Sequence, residues 1–530
     1  MKSTIYTGGP ILTSNRKQPR VEAVLVTGHI IRAAGDLDDV KAIAGRDAET
    51  VNLDGACLHP AFNDNHTHPI SFGESLAQVD ASPRAVQRLD EILDAYRARH
   101  REQPGDGWLE GRGYDDTRLD IQRHPTRDEL DTITADRPML LVRTCGHLGV
   151  ANTAALSAAG IDDTTPDPQG GEIDRDAHGR ATGLLRETAL KLVQHVIPRP
   201  TVADMRRYLD DAGRAFNRQG ITSVVEAAVT RAEQLDAYHS LARDGELRIR
   251  TYTMHLIDEM LDTLRSLGVQ TGFGDAWVRI GPAKLFQDGS GGGRTAAMFD
   301  HYPDQPGNSG ITYYDQQELN ERFAAAHAAG FQLAAHAIGD RAITMILDAY
   351  THALGADAGK DLRPRVEHCG MCSPDILDTL VALKAFAAPQ PTFVHYLGDS
   401  YLRNFTERQL ALAYPLDAFQ QEGIPFSISS DVPVTPPDSM VNLHAAVTRK
   451  TMDGDDMAPG QAITIESALR AYTAGGAYGS FEESIKGQIA PGMLADLVVL
   501  SRDPTAIPSD ELLDIEIRQT ILHGDTVYEA

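Results

Sequence analysis

The chain has 530 residues, 42% hydrophobic and 23% charged, which is the composition of an ordinary globular protein and allows about three small domains or one large barrel with additions. Its 75 acidic and 49 basic residues give a formal net charge of −26, which argues against nucleic acid or an anionic membrane surface as the main partner. The sequence shows no signal peptide, no membrane-spanning apolar run and too few cysteines for a disulfide framework. We therefore expect a cytoplasmic protein.

Both ends of the chain are predicted to form short strands. The N-terminal stretches TIYTGGPILT and EAVLVTGHIIRAAG have apolar runs broken by glycine-containing turns, and EIRQTILHGDTVYEA at the C-terminus is similar. The simplest arrangement is one small β domain built from residues 1–58 plus 485–530.

The central residues 59–484 alternate between short apolar runs and amphipathic helical stretches. For example, GITSVVEAAV precedes RAEQLDAYHSLARDG, and GFQLAAHAIGD precedes RAITMILDAY. Repeated strand, loop and helix predict parallel β/α organisation, and the number of units favours a barrel over an open sheet. Residues from about 75 to 200 are rich in Pro, Gly and charge and are predicted to be an insertion.

Polar residues end nearly every predicted strand of this central part. In a β/α barrel the reactive groups lie at the C-terminal ends of the strands. The candidates are His66, His68, Glu226, Lys284, Asp288, His336, His368, Gln390 and Asp431.

The histidines at these strand ends predict a metal site. His66 and His68 are two residues apart, so a strand directs both rings to one face. Imidazole and carboxylate groups are ligands that suit a divalent metal such as zinc. Each histidine alone has an ordinary structural alternative, but His336, His368 and Asp431 at further strand ends make the set specific.

Lys284 is unexpected among these candidates, because an ammonium group would be repelled by metal cations. Burial lowers a lysine pKa, and a neutral amine can take up CO2 to become a carbamate that bridges two metals. Glu226 is the alternative bridging ligand, because its carboxylate needs no modification. Lys284 is favoured.

The stretches HPAFNDNHTHP, AKLFQDGSGGGRTAAM, AAHAIGDRAITMILDAY, RVEHC, SISSDVPV and IAPGMLADLVVL resemble the metal-dependent amidohydrolase superfamily. The YtcJ-like branch (amidohydrolase family 3), which includes N-substituted formamide deformylases, is the most similar. The resemblance implies a distorted (β/α)8 TIM barrel, a small β-sandwich domain formed by both termini, and an inserted subdomain.

The resemblance also implies a centre of one or two Zn²⁺ ions per subunit, with Mn²⁺ or Fe²⁺ as alternatives. In this sequence His66, His68 and Asp431 would hold the first metal, and His336 and His368 the second. A carboxylated lysine at position 284 would bridge them.

The expected activity is hydrolysis of an amide-type C–N bond other than a peptide bond in a small molecule. Metal-bound hydroxide would attack the carbonyl, with Asp431 as general acid and base. His147 is predicted to be a catalytic residue that contacts the substrate carbonyl or the rim of the metal site, with a buried structural histidine as the alternative. Arg294, Asp288 and Tyr114 are predicted to bind the substrate; the alternatives are an ordinary ion pair for Arg294 and a surface turn for Tyr114. An ester, carbamate or cyclic amide substrate, a non-catalytic binding protein on the same scaffold, and a homodimeric assembly all stay open.

Overall fold

The computed structural model describes residues 2–83, 85–144 and 146–530. The chain divides into two compact units, one formed by Met1–Ile70 and Leu209–Ala530 and the other by Ser71–Tyr208. No helix of the described residues is both long enough and apolar enough to cross a membrane.

The strands fall into three groups along the chain. Those of residues 1–70 are β1 (Ser3–Leu12), β2 (Arg20–Thr27), β3 (Ile30–Gly35), β4 (Glu49–Asn52), β5 (Cys57–Pro60) and β6 (Phe62–Thr67). Those of residues 71–208 are β7 (Val79–Asp80), β8 (Leu109–Tyr114), β9 (Met139–Arg143), β10 (Leu148–Ala151), β11 (Gly171–Arg175) and β12 (Ala181–Glu187). Those of residues 209–530 are β13 (Ile221–Val229), β14 (Arg250–Leu256), β15 (Val278–Phe286), β16 (Leu333–Ala337), β17 (Arg365–His368), β18 (Phe386–Ala388), β19 (Leu497–Leu500), β20 (Ile517–Leu522) and β21 (Asp525–Glu529).

The helices follow the same division. Up to Arg218 they are α1 (Leu37–Ala44), α2 (Pro69–Ala77), α3 (Leu89–Glu102), α4 (Arg127–Asp131), α5 (Thr153–Ala158), α6 (Thr188–Gln194) and α7 (Val202–Arg218). The later ones are α8 (Ala232–Asp244), α9 (Ile257–Ser266), α10 (Gln316–Ala328), α11 (Asp340–Leu354), α12 (Pro374–Leu383), α13 (Pro391–Asn404), α14 (Glu407–Leu410), α15 (Leu416–Gln421), α16 (Ser439–Thr448), α17 (Ile465–Arg470) and α18 (Gly476–Gly479), with a π-helix at Ala471–Gly475 before α18.

The two ends of the chain meet in one sheet of the first unit. Its strand order is β21-β20-β19-β5-β1-β2-β3, with β4 added beside β1. β19 pairs antiparallel with β5, which joins the C-terminal strands to the N-terminal ones. Val24, Leu58, Leu497 and Ile521 are buried in a shared apolar cluster, so burial of apolar surface holds the two ends together.

Seven parallel strands of the first unit form a nearly closed barrel, in the order β18-β17-β16-β15-β14-β13-β6. Every residue of β6 and β17 is buried, as expected for parallel strands whose outer face is covered by helices. α11 packs on β16 and buries Ile343, Ile346 and Tyr350, which are spaced for one helix face. The predicted (β/α) barrel is confirmed.

Residues 426–432 occupy the eighth position of the barrel without forming a regular strand. On one side Ser427 N donates to Ala387 O of β18 at 3.2 Å. On the other side Asp431 N donates to His66 O at 2.9 Å, and His68 N donates to Val432 O at 2.9 Å. The sequence predicts a strand here, but the left-handed backbone of Asp431 (φ 59°) interrupts the regular ladder. The segment nevertheless forms hydrogen bonds to β18 on one side and to the end of β6 on the other, and so closes the barrel.

The second unit contains a six-stranded sheet in the order β11-β12-β10-β9-β8-β7. Its apolar residues form two buried clusters, which include Tyr96 and Leu141 in one and Leu156 and Leu185 in the other. The insertion predicted over residues 75–200 falls within this unit.

Candidate metal centre

Three predicted ligands come together at the C-terminal end of the barrel strands. His66 ends β6, His368 ends β17, and Asp431 ends the eighth segment. One ligand atom from each lies within 4.8 Å of the other two, and all three residues are buried. Two imidazoles and a carboxylate at this separation form a donor set that suits a divalent metal.

The His66 ring is oriented by Glu367. His66 Nδ1 lies 2.6 Å from Glu367 Oε2, and because a carboxylate only accepts hydrogen bonds, Nδ1 carries the hydrogen. Nε2 therefore keeps its lone pair, and it lies 3.5 Å from Asp431 Oδ1. Burial, with Lys284 nearby, holds the pKa of His66 well below its ordinary value, so the ring stays neutral and able to bind a metal.

Glu367 is itself held in place by Arg365. Arg365 donates to Glu367 Oε1 from Nε at 2.6 Å and to Oε2 from Nη2 at 3.2 Å. Adjacent residues of a strand normally point to opposite faces, yet both Glu367 and His368 reach the His66 ring. The left-handed backbone of His368 (φ 68°) breaks the alternation and allows this. The strand-end argument named His368 and missed Glu367 for this reason.

The His368 ring is oriented by Gln390, the one amide among the predicted strand ends. Gln390 Nε2 donates to Ala388 O at 2.7 Å and to Ser429 Oγ at 2.9 Å. Its oxygen therefore faces His368 Nδ1 at 2.7 Å and accepts that hydrogen. Nε2 of His368 is left as an acceptor, and burial together with nearby His336 lowers the pKa of His368 to about 3.

Asp431 and His68 form a charged pair beside these rings. His68 Nε2 lies 3.3 Å from Asp431 Oδ1 and His68 Nδ1 lies 3.7 Å from Glu226 Oε1. Burial opposes protonation of His68, but its bonds to the two carboxylates outweigh burial and raise its pKa to about 9. Burial is likewise outweighed at Asp431, where the hydrogen bond and charge of His68 hold the carboxyl pKa below its ordinary value.

Lys284 lies on β15 with its side chain fully buried. Its Nζ makes no hydrogen bond to any described residue. Burial lowers the pKa of Lys284 to about 8 despite nearby Glu367 and Asp431. A buried polar atom without a partner is costly, and the described residues supply none for this amine.

The other two predicted ligands are partly engaged by protein groups. His336 Nε2 donates to Gly289 O at 3.0 Å, which leaves Nδ1 as the acceptor, and the His336 ring centre lies 4.3 Å from that of His368. Glu226 accepts from Tyr238 Oη at 2.8 Å and from Ala228 N at 3.2 Å. Each carboxylate oxygen of Glu226, the alternative bridging ligand, therefore already accepts one hydrogen bond.

Comparison with known sequences identifies the chain. The sequence profile described as "Amidohydrolase family" matches residues 49–528.

The chain belongs to the amidohydrolase family.

It is 31% identical to the putative amidohydrolase YtcJ of Bacillus subtilis, with 99% of each chain covered. It is 28% identical to an N-substituted formamide deformylase of Arthrobacter pascens, covering 100% of this chain and 99% of the relative.

Solved structures agree with this membership. An uncharacterized metal-dependent hydrolase from Pyrococcus furiosus superposes with a TM-score of 0.80 at 29% identity, covering 95% of this chain and 100% of that one. A second uncharacterized metal-dependent hydrolase, from Pyrococcus horikoshii, has a TM-score of 0.80 at 28% identity, covering 96% and 99%. The chain is therefore an amidohydrolase-family protein with the fold of metal-dependent hydrolases.

Two predicted substrate-binding residues of this amidohydrolase-family chain have protein partners in the barrel unit. Asp288 accepts from three backbone amides: Ala297 N and Gly339 N at Oδ2, and Ile338 N at Oδ1, at 2.8–3.0 Å. It thereby ties the loop after β15 to the loop after β16. Arg294 forms a two-pronged ion pair with Asp304 at 3.0 and 2.6 Å.

The remaining two candidates of the amidohydrolase-family chain lie in the second unit. His147 is 66% exposed and its Nδ1 lies 3.0 Å from Glu187 Oε2. Tyr114 is fully buried, with its hydroxyl 3.0 Å from His124 Nδ1, so its side chain offers no exposed surface to a ligand. Contact of His147 with substrate stays a prediction.

Proposed function

We propose that the protein hydrolyses an amide-type C–N bond of a small molecule at a zinc centre. The observation that carries the proposal is the convergence of acceptor atoms from His66, His368 and Asp431 in one buried cluster. Each histidine ring of the cluster has its other nitrogen bonded to a protein acceptor, an arrangement that fixes the tautomer needed for metal binding. The similarity to a formamide deformylase supports an amide-type bond.

Five side chains would hold two metals. His66, His68 and Asp431 would bind the first, and His336 and His368 the second. The short separations of Asp431 from His66 and His68, and of the His336 ring from that of His368, support this division.

Lys284 would bridge the two metals as a carbamate. In its neutral form the Nζ lone pair attacks the carbon of CO2, an N–C bond forms, and one proton leaves the nitrogen. The lowered pKa of Lys284 and its lack of a hydrogen-bond partner among the described residues support this step. Glu226 is less suited, since each of its oxygens already accepts one hydrogen bond, from Tyr238 or Ala228.

A divalent metal bound here would lower the pKa of a water and polarise the substrate carbonyl. Asp431 would take the proton of the attacking water, a role supported by the position of its Oδ1 among the ligand atoms, 3.5 Å from His66 Nε2 and 3.3 Å from His68 Nε2. It would then deliver that proton to the leaving nitrogen. A C–O bond forms, the C–N bond breaks, and the products are a carboxylic acid and an amine.

The test is a substrate screen of the zinc- or manganese-loaded protein on amides, formamides, lactams, esters and carbamates. We expect turnover of an amide-type substrate and its loss in His336→Ala. His352→Ala is the matched control, because His352 is an exposed histidine on α11 of the same unit. Undiminished turnover in His336→Ala would contradict the assigned site, and preferential turnover of esters would contradict the assigned bond.

The carbamate has its own measurement. Protein exchanged into ¹³C-bicarbonate is expected to show a carbamate carbon signal that is absent from Lys284→Met. A signal that persists in the variant would contradict the assignment, and so would the absence of a signal from active, metal-loaded protein.

A further inference from the structure

Two adjoining cavities of the first unit share a wall formed by Ser14, Asn15, Arg16 and Arg470. The smaller cavity has a volume of about 230 Å³ and the larger about 790 Å³. The wall lies where the loop after β1 meets the end of α17.

The wall concentrates positive charge in a strongly acidic chain. Lys17 lines the larger cavity and Arg20 the smaller, beside Arg16 and Arg470. Arg20 is paired with Asp503 at 2.9 Å. In the described part of the chain, no carboxylate lies within ion-pair distance of Arg16, Lys17 or Arg470.

The two arginines of the wall repel each other. Burial and then the charge of Arg16 lower the pKa of Arg470, against the opposing effect of Glu466. Glu466 lines the smaller cavity but forms no ion pair with either arginine within the described residues. Arg16 is exposed and Arg470 half-buried, so solvent screens much of this repulsion, but both guanidinium groups stay accessible to an anion in the cavities.

We propose that this wall is a binding site for a small organic molecule that carries a phosphate or carboxylate group. Guanidinium groups bind these oxyanions through paired, charge-assisted hydrogen bonds. The Ser14 hydroxyl is held at the site, 3.1 Å from His59 Nε2 and 3.0 Å from Thr473 Oγ1. Pro425 and Phe426 line the larger cavity and, being only half-buried, offer apolar surface to the organic part of the ligand.

The site is separate from the metal centre. Phe426 of the larger cavity begins the eighth barrel segment, and Asp431 lies at the other end of that segment. The five residue steps from Phe426 to Asp431 span about 16 Å if the backbone is extended. The anion site is therefore at the amino-terminal side of the barrel, the side opposite to where barrel enzymes carry their reactive groups, and the proposal does not depend on which bond the metal centre cleaves.

The test measures binding of glycerol 2-phosphate and of succinate to the metal-loaded protein by isothermal titration calorimetry. We expect one of the two to bind, and binding to weaken at least ten-fold in Arg16→Gln and to fall with added salt. Lys17→Gln, a second variant at the larger cavity, should also weaken binding. Arg518→Gln is the matched control, because Arg518 is an exposed arginine on β20 of the same unit, and it should leave binding unchanged.

A second readout locates the ligand on the protein. Phenylglyoxal modification of Arg16, measured by peptide mass spectrometry, should be slowed by the probe that binds. Preference for the phosphate or for succinate identifies which oxyanion the site takes. Equal affinity in wild type and Arg16→Gln would place the binding elsewhere, including at the metals, and would overturn the proposal, as would no binding of either probe.

Discussion

Replacing Gln390 with leucine should weaken metal binding without touching a metal ligand. The change keeps a side chain of similar size but removes the oxygen that accepts from His368 Nδ1 at 2.7 Å. The His368 ring then loses the bond that fixes its orientation, and its buried N–H is left without a partner.

The expected loss of zinc affinity in Gln390→Leu can be worked out in two independent ways. A buried donor without an acceptor costs about 1–3 kcal/mol. Loss of a group that orients a metal-binding histidine lowers metal affinity about 10–100-fold, which corresponds to about 1.4–2.7 kcal/mol. We therefore expect Gln390→Leu to raise the zinc Kd about 10–100-fold, measured by competition with a chromogenic chelator.

Gln332→Leu separates this effect from general destabilisation. Gln332 is also a buried amide of the barrel, accepting from Tyr252 Oη at 2.9 Å and donating to Arg363 O at 2.7 Å. It lies immediately before β16 and four residues before His336, about 13 Å away along the chain direction of the strand. Its loss should lower the melting temperature and leave the zinc Kd unchanged. An unaltered zinc Kd in a folded Gln390→Leu protein would refute the proposed orientation of His368.

Further outcomes follow from the same structure. For the proposed centre of two metals, Lys284→Met should reduce the bound metal from two equivalents to one or none, as counted by atomic absorption, because the proposed bridging group is lost; two retained equivalents would exclude Lys284 as the bridge. Asp288→Asn should lower the free energy of unfolding by about 1–3 kcal/mol in urea titrations, because an amide nitrogen then faces backbone donors; an unchanged value would show that these bonds do not hold the two loops. Arg250 lowers the pKa of buried Asp496 below its ordinary value of 3.8, against the effect of burial. The pair therefore stabilises the fold above about pH 4, and this contribution is lost as the pH falls through the folded-state pKa. Asp496→Asn should cost stability at pH 7 and less at pH 3, whereas a difference that grows towards pH 3 would contradict the sign.

The barrel and its strand-end residues could be predicted because they follow from local periodicity. The alternation of apolar runs with amphipathic helices predicts β/α units, and the C-terminal strand ends are where such barrels place polar groups. This reasoning found His66, His368 and Asp431, which the fold brings within one cluster.

Other parts of the site depend on backbone conformation that periodicity does not encode. Glu367 contacts His66 only because the next residue is left-handed, and the eighth barrel segment bonds to both neighbours although Asp431 interrupts its ladder. The engagement of Arg294 by Asp304, and of Asp288 by three backbone amides, is a long-range consequence of packing. One feature of the sequence did indicate this role. Gln390 was the only amide among otherwise titratable strand ends, and only an amide can both accept from His368 and donate to its other neighbours.

The irregular eighth segment makes the barrel and its ligand set interdependent. His66 lies on the first barrel strand, His368 on a later one, and Asp431 on the segment that joins the last strand back to the first. A cation held by all three would link the two sides of this irregular closure, adding about 2.7 kcal/mol to the free energy of unfolding at a free concentration 100 times its Kd. Removing the cation with a chelator should therefore speed amide hydrogen exchange first in residues 426–432 and only later in the other barrel strands.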